Sequence, residues 1–161
     1  MFTKDKTLLS VANAARGVMQ QKVQEQEIKE KKTLIEMADK TLNDVFGVYM
    51  KAHSYYLNSQ QQQFRDVYES VIGEINPLAE QIQMMGGSVM LSPTNLVRKS
   101  SIVEDVSFTS NAAYMTSKLN EELVKLVREM KVLRAAADKL NETAFSAHMS
   151  NVITKIDKFV K

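Results

Sequence analysis

The chain has 161 residues, of which 44% are apolar and 25% are charged, and its formal net charge is +2. This composition excludes a disordered tail, and the length is enough for one domain with a substantial core. No cysteine is present, which excludes disulfides, thiolate metal sites and cysteine nucleophiles. No apolar run approaches the roughly 20 residues of a membrane span, and the first residues lack a secretory signal's apolar core. We therefore expect a cytoplasmic protein without membrane contact.

The positive charge is concentrated near the N-terminus. Residues 1–22 contain one acidic side chain against four basic ones, which are Lys4, Lys6, Arg16 and Lys22. This segment has a net charge of +3, which leaves −1 for the remainder of the chain. A basic arm ahead of a near-neutral body favours a polyanionic partner, and a solvated terminus without a partner is the alternative.

The apolar residues of this segment predict a short amphipathic helix. Steps of three and four residues place on one face Leu8, Val11, Ala12, Ala15, Val18 and Met19. We expect a polar linker to follow over residues 20–27. The predicted organisation is a basic N-terminal arm, residues 1–27, and a bundle, residues 28–161.

Four longer apolar stripes follow, and each has the steps of three and four residues that mark one helix face. The stripes run through Ile35, Ala38, Leu42, Val45, Tyr49, Ala52 and Tyr56; Phe64, Tyr68, Val71, Ile75, Leu78, Ile82 and Met85; Leu119, Leu123, Leu126, Met130, Leu133, Ala137 and Leu140; Phe145, Met149, Val152, Ile156 and Phe159. Four such helices must bury their stripes against one another. The predicted fold class is therefore an all-α four-helix bundle.

The first two long helices are expected to form a tight hairpin. The first covers about residues 28–57, and a turn at Asn58–Ser59 follows, with Ser59 as the N-cap of the second helix. Gly86–Gly87 ends the second helix. Pro77 lies inside it, at a cost of roughly 3 kcal/mol. Because the apolar stripe continues past Pro77, we predict one kinked helix; two helices that meet at Asn76–Pro77 are the alternative.

The last two long helices form a second hairpin. The third helix is expected to begin near Ser107 or Ser110, and the fourth follows Asn141. The link between the two hairpins is about twenty residues long, which is unusual unless it carries structure of its own. Ser92–Pro93 predicts the start of a short helix within it. Two hairpins joined by one long crossover are the ferritin-like arrangement.

The segment AEQIQMMGG, residues 79–87, ends the predicted second helix. It resembles the A-E-R-I/L-x-x-x-G-G ending of the second helix in the Dps family, the ferritin-like DNA-protection proteins that bacteria make in starvation. The segments LNDVFGVYMKAHSYY (residues 42–56) and TKIDKF (residues 154–159) resemble the first and last helices of that family. The short helix predicted at Pro93–Lys99 is also a family feature. The resemblance covers about residues 30–161.

This resemblance implies a homo-oligomer, a hollow dodecameric shell. Many members of the family oxidise ferrous iron with peroxide and store the product inside the shell. Their iron sites lie between two subunits, with histidines from the first helix and an Asp-x3-Glu pair on the second. Many members also bind DNA through a basic N-terminal arm.

This chain departs from the family's iron-site pattern. Glu80 matches the family's glutamate, but Asn76 stands where the family has aspartate, and Gln60–Gln63 occupy the region of a family histidine. The first helix contains a single histidine, His53, for which packing or an interface is a better explanation than metal binding. For His148, packing is favoured more strongly still. We therefore predict that no efficient ferroxidase centre exists, assign no catalytic residue, and retain Glu80 and His53 only as weak metal candidates. No cofactor is required, although iron is possible.

The function that this reasoning favours is sequence-independent DNA binding by a Dps-like shell. Lys4, Lys6, Arg16 and Lys22 are the predicted phosphate contacts. An alternative positive surface is Arg98–Lys99. In a rival interpretation the arm docks on the shell and stabilises its assembly. The alternatives to DNA binding are an iron-storing mini-ferritin with residual Fe(II) oxidation, and a helical interaction module without a shell.

Overall fold

A computed structural model describes the backbone of residues 3–103, 105 and 111–161, and the side chains within these ranges from residue 9 onward. Its helices are α1 (Thr3–Ser59), α2 (Gln62–Ile72), α3 (Ile75–Met84), α4 (Pro93–Lys99), α5 (Ala112–Lys139) and α6 (Thr143–Asp157). These described residues contain no strand, and the predicted all-α class is confirmed. None of the helices in this part of the chain combines the length and apolar character that a membrane span requires.

The chain divides into two compact units, Met1–Thr33 and Leu34–Lys161. In the first unit the described backbone is one unbroken helix, the beginning of α1. The linker predicted over residues 20–27 is therefore wrong, because these residues are helical. They include neither glycine nor proline, and Gln, Glu and Lys are good helix formers, so their polarity alone does not end a helix. The division into an arm of residues 1–27 and a bundle of residues 28–161 stays a prediction.

The second unit is a four-helix bundle around one apolar core. One helix of the bundle is the end of α1, α2 and α3 together are the next, and α5 and α6 are the other two. The largest fully buried side chains include Leu34, Leu42, Phe64, Leu78, Ile82, Met115, Leu123, Leu126, Met130, Leu133, Phe145 and Met149. Most of these residues belong to the four predicted stripes, since a stripe on one helix face is what burial between helices requires.

The second predicted long helix is interrupted before its proline. α2 ends at Ile72 and α3 begins at Ile75, so the break lies at Gly73–Glu74. Pro77 has no N–H to donate to the carbonyl of Gly73 four residues earlier, and its ring crowds that carbonyl. The helical pattern resumes where the Leu78 N–H donates to the Glu74 carbonyl at 3.0 Å. Neither the single kinked helix nor the junction at Asn76–Pro77 is therefore correct, because the break falls one turn earlier.

The turn between α1 and α2 lies later than predicted. Ser59 is still part of α1, and its hydroxyl donates to the Tyr55 carbonyl at 2.8 Å instead of capping the next helix. Gln60 has a φ of 56° and makes the turn. The N-cap of α2 is Gln61, which makes no side-chain capping hydrogen bond. The prediction of Ser59 as the N-cap is therefore wrong, because its hydroxyl bonds back within its own helix.

The crossover between the hairpins begins and continues as predicted. Gly86 has a φ of 92°, and the Gly87 N–H donates to the Ile82 carbonyl at 2.9 Å, which closes α3. The hydroxyl of Ser92 accepts from the Asn95 N–H at 3.2 Å and caps α4. The short crossover helix at Pro93–Lys99 is confirmed.

The second hairpin also matches its predicted order. α5 is capped by Asn111, whose side chain accepts from the Tyr114 N–H at 3.0 Å. The predicted starts at Ser107 and Ser110 fall in residues 106–110, which lie outside the described residues. Asn141, with a φ of 57°, makes the turn into α6.

Replacing Leu126 by alanine should destabilise the bundle. Leu126 on α5 is 1% exposed, and a truncation of this kind leaves a cavity that costs about 2–5 kcal/mol. The control is Val132→Ala on the same helix, where the side chain is 54% exposed and the expected change is within about 0.5 kcal/mol. Urea unfolding followed by circular dichroism measures both variants. Equal losses in the two variants would contradict the assignment of this core.

Candidate functional site

The two residues that the resemblance predicts at an iron position are open to solvent in the single chain. Asn76 and Glu80 are both exposed and lie one turn apart on α3, so they share one helix face. A carboxamide contributes a neutral oxygen, and the pair therefore has one negative charge instead of two. Within the described residues, no three His, Asp or Glu side chains lie close enough to hold a metal ion.

His53 lies in a cluster of aromatic rings, which we call the aromatic cluster and which consists of Phe46, Tyr49, His53, Tyr56 and Tyr68. The centroid of the imidazole ring is 4.6 Å from that of Tyr68 and 5.6 Å from that of Tyr49. The Tyr49 hydroxyl and Nδ1 of His53 are 3.4 Å apart. These contacts place His53 in ring packing between α1 and α2. The structure does not bring it together with Glu80 in any described cluster of metal ligands.

The glutamines at the start of α2 serve the local structure. The side-chain amide of Gln63 donates to Gln61 at 2.7 Å and to the Thr116 hydroxyl at 3.0 Å. Its oxygen accepts from Lys161 at 3.0 Å. Gln63 thus joins α2 to α5 and to the residues after α6, and an amide can do this because it both donates and accepts.

His148 on α6 is the other histidine. Burial lowers the pKa of its imidazole below the ordinary value, although Glu74 opposes this shift. Its Nε2 is buried and has no hydrogen-bond partner within the described residues. The carboxylate of Glu74 pairs instead with Lys155 at 2.6 Å. A half-buried imidazole whose pKa is lowered by burial is consistent with a packing residue.

The most connected polar group of the bundle is Asp44, a residue that the sequence analysis did not single out. Its side chain is on α1 and is 0% exposed in the folded chain. One oxygen accepts from Lys40 at 2.7 Å, and the other accepts from the Ser100 hydroxyl at 2.9 Å and from the Ser101 N–H. Lys40 also donates to Glu129 of α5 at 3.0 Å. Asp44 therefore ties together α1, the crossover and α5.

Further hydrogen bonds from α5 hold the part of the crossover that follows α4. Lys125 donates to the Ser101 carbonyl at 2.6 Å, and the Val103 N–H donates to Glu122 at 3.1 Å. Glu122 is itself buried and lies 3.4 Å from the buried ammonium of Lys51. The segment from Ser100 to Val103 is thus held by charged groups of the bundle.

Tyr55 on α1 also holds the crossover, since its hydroxyl donates a hydrogen bond to the carboxylate of Asp105. Burial and this carboxylate raise the pKa of the Tyr55 phenol above its ordinary value. The one sequence signal for this polar network was the spacing of Lys40 and Asp44, which are four residues apart on a helix. That spacing is common on exposed helix faces, so it did not indicate burial.

The two carboxyl groups that Lys40 bridges respond to their surroundings in opposite directions. Burial disfavours the charged form of Asp44, but its hydrogen bonds to Lys40, Ser101 and Ser100 hold its pKa below the ordinary value. Burial and the neighbouring Asp44 raise the pKa of Glu129. Asp44 is therefore the more acidic member of the pair.

The basic arm residues fall partly outside the described side chains. Nothing is described of the side chains of Lys4 and Lys6. Arg16 and Lys22 are exposed on α1, and six residues of helix separate their directions by about 120°. The two described cations therefore do not lie on a single line along the helix.

One of the two cations on the alternative positive surface, Arg98–Lys99, is engaged in an ion pair. Arg98 is exposed near the end of α4. The ammonium of Lys99 pairs with the carboxylate of Asp39 on α1. This ion pair reduces the net charge that the Arg98–Lys99 surface presents to a polyanion.

The sequence of the chain is similar to those of two known proteins. No protein-family model matches the chain. A DNA protection during starvation protein of Brevibacillus brevis is 28% identical over 120 residues, which are 70% of this chain and 80% of that relative. DNA protection during starvation protein 1 of Deinococcus radiodurans is 25% identical over 139 residues, 82% of this chain and 67% of that relative.

Solved structures share the architecture. A Dps protein from Bacillus brevis superposes with a TM-score of 0.76 at 24% identity, covering 82% of this chain and 93% of that one. A Dps protein from Vibrio cholerae, described as one of the ferritin-like diiron-carboxylate proteins, has a TM-score of 0.75 at 20% identity, covering 82% and 87%. The helix order, the crossover helix and these likenesses define a ferritin-like helical bundle. Within this class, the chain is similar to DNA-protection proteins of the Dps family.

Replacing Asp44 by asparagine should destabilise the protein at neutral pH by about 1–3 kcal/mol, because buried donors lose a charged acceptor. The pKa of Asp44 is lowered from 3.8, so its contribution is present above about pH 4 and is lost as the pH falls through the lowered value. The difference in stability between wild type and Asp44→Asn should therefore shrink in acid.

Urea unfolding between neutral pH and the acid range measures this difference. The control is Asp66→Asn, because Asp66 is exposed and makes one side-chain contact, to Gln62. A pH-independent gap for Asp44→Asn would contradict the charged state assigned to this carboxylate.

Proposed function

We propose that this protein is a Dps-like shell protein that binds and protects DNA without sequence preference, in the cytoplasm and in association with the nucleoid. The observation that carries the proposal is the uneven charge. Residues 1–22 have a net charge of +3 and the remaining residues a net charge of −1. The names of the two relatives describe DNA protection, which supports the same function.

The binding device is the basic arm, with Lys4, Lys6, Arg16 and Lys22 as the phosphate contacts. Each contact releases condensed counterions from DNA, so binding depends steeply on salt and not on base sequence. Four charges on one arm bind weakly. A homo-oligomeric shell, dodecameric as the resemblance implies, presents many arms at a high effective concentration and so binds strongly.

The iron chemistry of the family is, in this proposal, largely lost. Asn76 replaces a carboxylate one turn before Glu80, and His53 is engaged in the aromatic cluster. Fe(II) requires imidazole and carboxylate ligands together with open positions for the oxidant. Substitution of an amide for one carboxylate weakens any site that includes Glu80.

The alternative function is iron storage with residual Fe(II) oxidation. The observation that favours it is the exposed carboxylate of Glu80, the one residue that matches the family's iron ligands. Iron would then be the stored substrate of the shell and not a resident cofactor.

Reversing the charge of the arm should abolish DNA binding. The arm variant carries Lys4→Glu, Lys6→Glu, Arg16→Glu and Lys22→Glu. A gel shift of plasmid DNA across a salt series should show binding by wild type that salt weakens steeply, by a log–log slope of about −0.9 for each phosphate contact. The arm variant should show no shift while sizing chromatography finds the same assembly.

The matched control reverses four exposed charges of the bundle, with Arg98→Glu, Lys131→Glu, Lys139→Glu and Lys158→Glu. This variant has the same net charge as the arm variant and should retain most of the binding. Loss of DNA binding in the control variant alone would show that the DNA-binding surface lies on the bundle and not on the arm. Loss of the assembly in the arm variant would favour docking of the arm on the shell.

Wild-type protein should show no rapid, stoichiometric oxidation of Fe(II) by hydrogen peroxide. Absorbance of ferric products in a stopped-flow experiment measures this rate against a protein-free sample. Asn76→Asp restores the carboxylate pair with Glu80 and should increase Fe(II) affinity in calorimetry, whereas Asn58→Asp, an exposed change at the end of α1, should not. A fast stoichiometric phase in wild type would establish the iron-storage alternative.

A further inference from the structure

The first unit of the chain presents an apolar helix face that no described contact within this unit covers. Several large apolar side chains on the arm segment of α1 are exposed: Val11 by 62%, Val18 by 52%, Met19 by 69% and Val23 by 57%. With about 100° of rotation per residue, these four side chains and those of Ala12 and Ala15 fall within an arc of about 140°. We call these six residues the arm face. An apolar stripe of this width is typical of a helix that packs against a partner.

The arm face has an internal symmetry about Ala15. Val11 and Met19 lie four residues before and after it, and Ala12 and Val18 lie three residues before and after it. When two copies of such a helix cross antiparallel at Ala15, Val11 of each lies beside Met19 of the other. Each small Ala12 then lies beside a larger Val18. This alternation of large and small side chains lets two copies interlock through one self-complementary patch.

The charges of the segment select the antiparallel direction. Residues 4–16 contain Lys4, Lys6 and Arg16 against one acidic residue, a net charge of +2. Residues 23–30 contain three glutamates, at positions 25, 27 and 30, against Lys29, a net charge of −2. Antiparallel helices place the basic part of each copy beside the acidic part of the other. Parallel helices place like charges together, which is unfavourable.

We propose that the arm face is a homotypic interaction surface, on which the arm of a second copy of this chain packs antiparallel, with the crossing point at Ala15. The pairing requires no DNA, although Lys4, Lys6 and Arg16, which favour the antiparallel direction, are also proposed phosphate contacts. Arms that pair in this way link two chains outside the core of the bundle. When the two chains belong to different assemblies, the pair connects one assembly to the next.

Disulfide trapping tests the pairing in the full-length protein, which has no cysteine of its own. Two differently tagged variants, Val11→Cys and Met19→Cys, are mixed without DNA and exposed to oxidised glutathione. The expected product is the mixed disulfide between the two variants, formed several-fold in excess over either self-linked dimer. Asn13→Cys, an exposed position on the opposite side of the helix, is the control and should cross-link only at the background level.

The charges give a second readout. Glu25→Lys with Glu27→Lys should lower the yield of the mixed disulfide several-fold, and the further changes Lys4→Glu and Lys6→Glu should restore it. Self-linked Val11→Cys dimers in excess would overturn the antiparallel arrangement. Equal cross-linking of Asn13→Cys, or the absence of any cross-link, would overturn the pairing.

A third variant separates pairing from docking on the bundle. At high concentration, the wild-type protein should scatter more light than single assemblies do. The variant Val11→Glu with Val18→Glu should scatter only as much as single assemblies. The control Ile28→Glu, at a 70% exposed position outside the arm face, should scatter as much as the wild type. Breakdown of the assemblies in the first variant would assign the arm face to docking on a neighbouring bundle and overturn the proposal. The DNA gel shift of the arm variant is unaffected by either outcome, so the two proposals fail separately.

Discussion

The carboxylate of Asp44 is the constraint on which the path of the crossover depends. It is fully buried, and it accepts hydrogen bonds from Lys40 of its own helix and from Ser100 and Ser101 of the crossover. A buried charge is tolerated only when its hydrogen bonds are complete. Lys40 extends the network to Glu129 on α5. The long link between the hairpins is therefore held at a defined place on the bundle, by polar contacts as well as by apolar packing.

The buried polar network of the bundle lies apart from the exposed residues Asn76 and Glu80. Among the described residues, three buried charged groups, Asp44, Glu122 and Lys51, contact neighbouring helices or the crossover. A fourth, Glu74, pairs with Lys155 of α6. Asn76 and Glu80, the two residues that the resemblance predicts at an iron position, are exposed on α3, and no described contact joins them to this network. Changes at these two exposed positions are therefore expected to cost the fold little.

The arm combines two chemistries on one helix. Its basic side chains suit phosphates, and its apolar face suits another helix. Since Arg16 and Lys22 point in directions that differ by about 120°, a helical arm cannot present both cations to one straight row of phosphates. The apolar face is continuous along the same helix. Lys22 falls within the arc of the arm face, and the proposed pairing also uses the charges of Lys4, Lys6 and Arg16. In the two proposals, DNA contact and helix pairing therefore use overlapping parts of the segment.

The sequence by itself determined the helical class, the four apolar stripes and the crossover helix at Pro93–Lys99, because each depends on local periodicity or on the residues that start a helix. Only the tertiary structure decided the burial of Asp44 and the engagement of Lys99 with Asp39, since partners about 60 residues apart leave no local pattern. The break at Gly73–Glu74 and the continuation of α1 through residues 20–27 were missed for a different reason. A proline acts on the carbonyl one turn before it, and polar residues without glycine or proline do not end a helix.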